Sequence, residues 1–112
     1  MNNKPKKRGK LVRNGIPDII RADGGNPEIE VLSDNATYIK ALLAKLNEEL
    51  RELFRASGKE KVVEESGDVL QVIKDIFIAR GILFEEANFA CTKKHFERGG
   101  FDKRFFLVSP KK

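Results

Sequence analysis

The chain has 112 residues, of which 40% are hydrophobic and 35% charged, a composition typical of one globular domain and unlike that of a disordered or fibrous chain. Its net charge of +5 is concentrated at the two ends, because residues 1–10 hold five basic side chains and no acidic one, and Lys111 and Lys112 add two more. Residues 11–110 carry 15 basic and 17 acidic groups, a net charge of −2. The charge therefore does not indicate a nucleic-acid-binding domain, and we expect residues 1–9 to be a flexible basic tail.

Cysteine content and hydropathy bear on the cellular setting. The sequence has one cysteine, Cys91, so no internal disulfide can form. The basic N-terminus lacks the apolar segment of a secretory signal, and no apolar run approaches the roughly 20 residues of a membrane-spanning helix. We therefore expect a cytoplasmic protein without membrane contact.

The first predicted element is a short helix around Pro17, because proline suits the first turn of a helix. The turn-forming residues 23–27 end it. Polar and apolar residues alternate over residues 28–32, which predicts a short strand.

Two long helices follow. The first is predicted over residues 36–57 with Ser33 or Asp34 as its N-cap, and the second over residues 60–80. In both, apolar residues recur at steps of three and four, which gives each helix one broad apolar face. The faces comprise Ile39, Leu42, Leu43, Leu46, Leu50 and Leu53 in the first helix, and Val62, Val69, Val72, Ile73, Ile76 and Phe77 in the second.

A third helix is predicted over residues 84–97, and the apolar residues 105–108 predict a final short strand. The fold class is therefore all-α, a helical hairpin plus a third helix with short extended ends, in a domain that spans residues 10–108. Two long helices alone make a poor core, so we expect the chain to complete a helical bundle as a homodimer or homotetramer.

The second helix places a carboxylate on its apolar face. At about 100° per residue, Glu65 falls near −40° from Val69, between Val72 and Ile76. Asp68 lies at the edge of the same face, near −100°. A carboxylate among apolar neighbours is costly unless it is paired or binds a cation.

The first helix carries a similar pair, in which Glu49 borders the apolar face and Glu52 lies one step further out. If the helices pack antiparallel through their apolar faces, the two pairs converge on one spot. Oxygen ligands without histidine or cysteine suit Mg²⁺ or Mn²⁺, and Mg²⁺ commonly binds substrate phosphates as well. On spacing alone, the favoured alternative is a solvated row of carboxylates paired with lysine and arginine.

Two runs of the sequence resemble a known family motif. They are Lys45-Leu46-Asn47-Glu48-Glu49-Leu50-Arg51-Glu52 and, after a gap of twelve residues, Glu65-Ser66-Gly67-Asp68. The runs are similar to the E-E-x-x-E and E-x-x-D pattern of the MazG-type all-α nucleoside triphosphate pyrophosphohydrolases.

The flanks of the domain resemble a small stand-alone branch of that family, related to phosphoribosyl-ATP pyrophosphohydrolase. Lys10-Leu11-Val12-Arg13 with Ile16-Pro17 looks like its K-L-V-R-D-K-I-P start, and Lys94 with Arg98-Gly99-Gly100-Phe101 looks like its K-x-x-x-R-G-G-F close. The resemblance covers about residues 10–107. The D-K pair of the branch is Asn14-Gly15 here.

The resemblance implies a nucleotide substrate, which water attacks at the α-phosphorus to release a nucleoside monophosphate and pyrophosphate. Such an activity would clear aberrant nucleotides. It implies that Mg²⁺ is held at a catalytic site formed by Glu49, Glu52, Glu65 and Asp68. It also implies that the substrate and its phosphates are bound by Lys94, Arg98, Arg13 and Asn88. Hydrolysis of phosphoribosyl-ATP, and a non-catalytic helical module that binds nucleic acid or a partner protein, are the alternatives.

Overall fold

A computed structural model describes residues 9–109, which form four helices and, within that range, no strand. The helices are α1 (Ile16–Ala22), α2 (Asn35–Arg55), α3 (Lys59–Ala79) and α4 (Phe84–Arg98). The all-α prediction is confirmed, and the bounds of the three longer helices differ from the predicted ones by at most two residues.

Both predicted strands are wrong. Residues 25–33 and 104–107 have no regular secondary structure. Each is a single segment with alternating or apolar residues, and a strand also needs a neighbouring strand to accept its hydrogen bonds. The predicted basic tail lies outside the described residues, except for Gly9.

The helices α2 and α3 form an antiparallel hairpin joined by residues 56–58. Gly58 has φ +88° and ψ 148°, a region that is essentially reserved for glycine, and this lets the chain reverse within three residues. At the other end of the hairpin, Asn35 Nδ2 donates a hydrogen bond to the carbonyl oxygen of Ala79 over 3.2 Å. The hairpin is therefore closed at both ends.

The first turn of α2 is capped as predicted. Asp34 accepts hydrogen bonds from the backbone N–H of Thr37 at 2.9 Å and from its hydroxyl at 2.7 Å. The hydroxyl hydrogen bond, and after it the backbone one, lower the pKa of Asp34 below its ordinary value. The carboxylate form of this cap is therefore the stabilising one.

We expect Asp34→Ala to lower the urea midpoint of unfolding and Asp34→Ser to lower it less, because a serine hydroxyl also caps a helix. Since the folded pKa of Asp34 is depressed, its stabilising effect is present above the unfolded pKa of about 3.9 and is lost as the pH falls through the folded pKa. The gap in midpoint between the native chain and Asp34→Ala should shrink as the pH is lowered from about 6 to about 3. A gap that stays constant with pH would mean that the charge of Asp34 contributes nothing.

The core of a single copy is small. Among the described residues, the buried side chains are Leu42 of α2 and Glu65, Val69 and Val72 of α3. The radius of gyration is 18.4 Å, against about 13 Å for a compact chain of this length. The described residues thus contain the packed interface between two helices of a bundle. The further helices that would cover the other faces of this hairpin are not provided by one copy.

Only part of the predicted apolar face of α2 is buried in the hairpin. Leu42 is buried against α3, whereas Leu43, Leu50 and Phe54 are exposed. On a helical wheel these three lie about 80° to 120° from Leu42, which places them along one line of the helix. In α3 a similar line lies about 100° to 120° from Val69. We call these exposed residues the outer apolar stripe, which comprises Leu43, Leu50, Phe54, Val63 and Leu70.

None of the helices in residues 9–109 combines the length and the apolar character that crossing a membrane requires.

Candidate active site

Three carboxylates converge at the seam between α2 and α3. Glu49 comes from α2, while Glu65 and Asp68 lie one turn apart on α3, and one oxygen of each lies within 4.8 Å of the others. Glu65 is the most buried of the three, with 6% of the residue exposed. The side chains of Glu49 and Asp68 are 12% and 34% exposed. The predicted inward position of Glu65, and the predicted approach of Glu49 and Asp68 to it, are confirmed. Their role as metal ligands stays a prediction.

Glu52 lies outside this cluster. Its side chain is 49% exposed, and its carboxylate is 3.9 Å from the guanidinium of Arg55. One turn beyond Glu49, it has rotated further from the seam, as the helical wheel indicates. The structure therefore brings together three of the four predicted carboxylates.

Each carboxylate of the cluster has a basic partner. The lysines come from the same helix as their carboxylates, four residues earlier, whereas the arginine comes from the segment before α1. The pairs are Arg13 with Asp68 (2.7 Å from Nη2 to Oδ1), Lys45 with Glu49 (3.4 Å from Nζ to Oε2) and Lys61 with Glu65 (3.2 Å from Nζ to Oε2). Three like charges this close are tolerated in a partly buried seam because these cations offset them.

Lys61 is held by more than one acid. The hydrogen bond that it donates to Glu65, followed by the charges of Glu64 and Glu65 itself, raises the pKa of Lys61 above its ordinary value. The charge of Glu52 contributes in the same direction. The side chain of Lys61 therefore stays a charged ammonium at neutral pH.

A cleft of about 660 Å³ opens beside the cluster, between the segment before α1 and the hairpin. This is within the usual size range of small-molecule sites. At one end it is lined by Glu49 and Asp68 together with the basic side chains Lys10, Arg13 and Lys45. Carboxylates and cations thus share one end of the cleft, so this end can hold a divalent cation and an anionic group side by side.

The other end of the cleft is polar as well, and none of its polar residues is predicted from the sequence. Tyr38, Gln71 and Asp75 line it, and Gln71 Nε2 donates a hydrogen bond to Asp75 Oδ2 over 3.2 Å. Burial, and to a lesser degree the charge of Asp75, raises the pKa of the Tyr38 phenol, which therefore stays a neutral hydroxyl. The signal was present, because Asp75 follows Asp68 by seven residues and so lies two turns along the same edge of α3.

The predicted substrate residues divide between the cleft and α4. Arg13 lines the cleft, whereas Asn88, Lys94 and Arg98 are exposed on α4 and do not line it. The first turn of α4 meets the hairpin, where the rings of Phe84 and Phe77 lie 6.3 Å apart. Among the described residues, no ion pair or hydrogen bond joins these three α4 residues to the carboxylates of one copy.

Comparison with known proteins gives a partial likeness. The chain is 48% identical over 54 residues to a protein of Mycolicibacterium smegmatis that is described as uncharacterized, a match that covers 48% of this chain. The chain spans about half the length of that relative, 54%. No protein-family model and no solved structure matches the chain.

Proposed function

We propose that this protein is a Mg²⁺-dependent nucleotide pyrophosphohydrolase that cleaves a nucleoside triphosphate between the α- and β-phosphates. The products are a nucleoside monophosphate and pyrophosphate. The supporting observation is that Glu49, Glu65 and Asp68 bring three carboxylate oxygens within 4.8 Å of one another, and that two of these residues, Glu49 and Asp68, line a cleft that also holds basic side chains. The motif resemblance points to these three carboxylates and, in addition, to Glu52. A cytoplasmic enzyme of this kind would remove aberrant nucleotides.

The donor set fits the proposed metal. Glu49, Glu65 and Asp68 offer hard oxygen ligands, which Mg²⁺ and Mn²⁺ prefer. When bound there, the ion would offset negative charge on the triphosphate. Glu65 is the most buried of the three, so its carboxylate has the most to gain from a cation.

The remaining groups of the cleft suit a nucleotide. Lys10 and Arg13 are placed to donate charge-assisted hydrogen bonds to phosphate oxygens. The apolar side chains of Leu11, Val12 and Ile16 line the same cleft, are more exposed than the core, and offer a surface for the base. Tyr38, at the far end, offers a neutral hydroxyl for hydrogen bonding.

We also propose that the working form is a homodimer or homotetramer. The outer apolar stripe is exposed in one copy, and Asn88, Lys94 and Arg98 lie away from the cleft of their own chain. A neighbouring copy would cover the stripe and complete the bundle.

The test is pyrophosphate release in the presence of Mg²⁺, measured across canonical, deoxy and modified nucleoside triphosphates and phosphoribosyl-ATP, with a chelator as the control. We expect release from at least one nucleoside triphosphate and none with the chelator. Release from phosphoribosyl-ATP alone would identify the alternative substrate. No release from any of them, with no Mg²⁺ binding by calorimetry, would refute the proposal and favour a helical interaction module.

A further inference from the structure

The cations around the cluster are of two kinds. Arg13 and Lys45 line the cleft. Lys61 contacts the carboxylate of Glu65 but does not line the cleft. The first two therefore face the volume that a ligand would occupy. Lys61 makes an equivalent ion pair away from that volume.

The three carboxylates and their three cations carry no net charge together, and Glu48 and Glu64, which contact Lys45 and Lys61, add two negative charges, one of which Lys10 offsets. A divalent cation bound by the carboxylates would therefore change the local charge from −1 to +1. It would also compete with Arg13 and Lys45 for the carboxylates of Asp68 and Glu49, which these two cations contact at 2.7 Å and 3.4 Å. Both cations line the cleft, and Lys45 would keep one carboxylate neighbour, Glu48, to which it donates a hydrogen bond over 3.4 Å.

We propose that Arg13 and Lys45 exchange partners when the site fills: they pair with Asp68 and Glu49 in the metal-free chain, and bind phosphate oxygens once a divalent cation occupies those carboxylates. This inference rests on the proposed function. It makes the binding of the metal and the binding of a polyphosphate mutually dependent, since each favours the state that the other needs. A nucleotide without the metal would meet cations that are already neutralised.

The exchange predicts opposite effects on two ligands. Removing Arg13 or Lys45 removes a cation that competes with the metal, so Arg13→Gln and Lys45→Gln should each raise the affinity for Mg²⁺ alone, by roughly two- to five-fold, as expected of an ion pair at a protein surface. The same variants should lower the affinity for pyrophosphate in excess Mg²⁺ by about tenfold or more, because they lose a charge-assisted hydrogen bond to the anion. A residue that only supports the fold would lower both affinities.

The matched control is Lys61→Gln. It removes a cation of the same cluster, so it should also raise the Mg²⁺ affinity, yet it should leave the pyrophosphate affinity within a factor of about two, since Lys61 does not line the cleft. Arg13→Lys and Lys45→Arg, which keep the charge, should retain most of the pyrophosphate affinity. Circular dichroism of each variant establishes that the helices are intact.

Isothermal titration calorimetry measures both ligands, with Mg²⁺ titrated alone and pyrophosphate titrated with a chelator or with excess Mg²⁺. In the native chain, Mg²⁺ should raise the pyrophosphate affinity by at least about tenfold. If the native chain binds no Mg²⁺, the proposed function fails. If it binds Mg²⁺ but Arg13→Gln and Lys45→Gln lose no more pyrophosphate affinity than Lys61→Gln, the site stands and the exchange is refuted.

Discussion

Glu65→Gln is expected to lower Mg²⁺-dependent pyrophosphate release by about a hundredfold or more, since a bound metal ion contributes several kcal/mol to catalysis of this type. Glu65 is the most buried carboxylate of the cluster, and the amide keeps its shape while removing its charge. The loss should appear with any nucleotide that the native protein hydrolyses, because it acts on the metal and not on the base. Initial rates at saturating Mg²⁺ measure it.

The stability of the same variant separates a functional carboxylate from a structural one. Like charges within 4.8 Å repel by on the order of 3 kcal/mol per pair before they are offset by neighbouring cations. In a chelator, Glu65→Gln should therefore unfold at a urea concentration equal to or above that of the native chain. The native chain should gain about 2.7 kcal/mol when Mg²⁺ is present at a hundred times its dissociation constant, and the variant should gain none.

Two further carboxylates serve as comparisons. Glu64→Gln is the matched control, because Glu64 is the neighbouring residue and lies 3.8 Å from the same Lys61, yet it is exposed. It should keep its activity, and a loss equal to that of Glu65→Gln would contradict the assignment of the cluster. Glu52→Gln tests whether the site uses the four carboxylates that the motif resemblance implies or the three that the structure brings together. The resemblance implies a large loss, whereas a site built from the three converging carboxylates implies a small one.

The helices and the inward carboxylate were predictable because they depend on local chemistry. Asp34 is followed by a long apolar repeat, and an N-cap at such a boundary needs only its own hydrogen bonds. Glu65 lies between apolar residues of one helix, so its burial follows from the helical period alone. Gly58 marks the turn, since few other residues can adopt its conformation.

What could not be predicted depends on contacts between distant segments. The alternation of polar and apolar residues over 28–32 is typical of a strand with one apolar side, but no second strand pairs with these residues in the described chain. Arg13 meets Asp68, 55 residues away, and no periodicity relates the two. The position of α4 relative to the cleft is likewise a matter of tertiary packing, which is why the substrate residues placed on α4 could not be tied to the cleft from spacing.

Self-association is expected to have the second large effect, on the stability of the whole chain. In one copy the buried apolar residues among those described are Leu42, Val69 and Val72, too few to offset the conformational entropy of ordering about a hundred residues. We expect sedimentation equilibrium to give at least twice the 12.7 kDa of one chain, and the urea midpoint to rise with protein concentration.

The outer apolar stripe supplies the variant that tests this association. Leu50 lies between Leu43 and Phe54 on the exposed side of α2, so Leu50→Asp would place a charge at the centre of the interface that a second copy forms. The variant should weaken association about thirtyfold or more, the effect of losing a central interface residue, and lower the urea midpoint with it. Leu50→Met, which keeps the apolar volume, should do neither. A native chain that sediments as one copy, and unfolds cooperatively at a midpoint independent of concentration, would show that the hairpin is stable without a partner and that the stripe has another role.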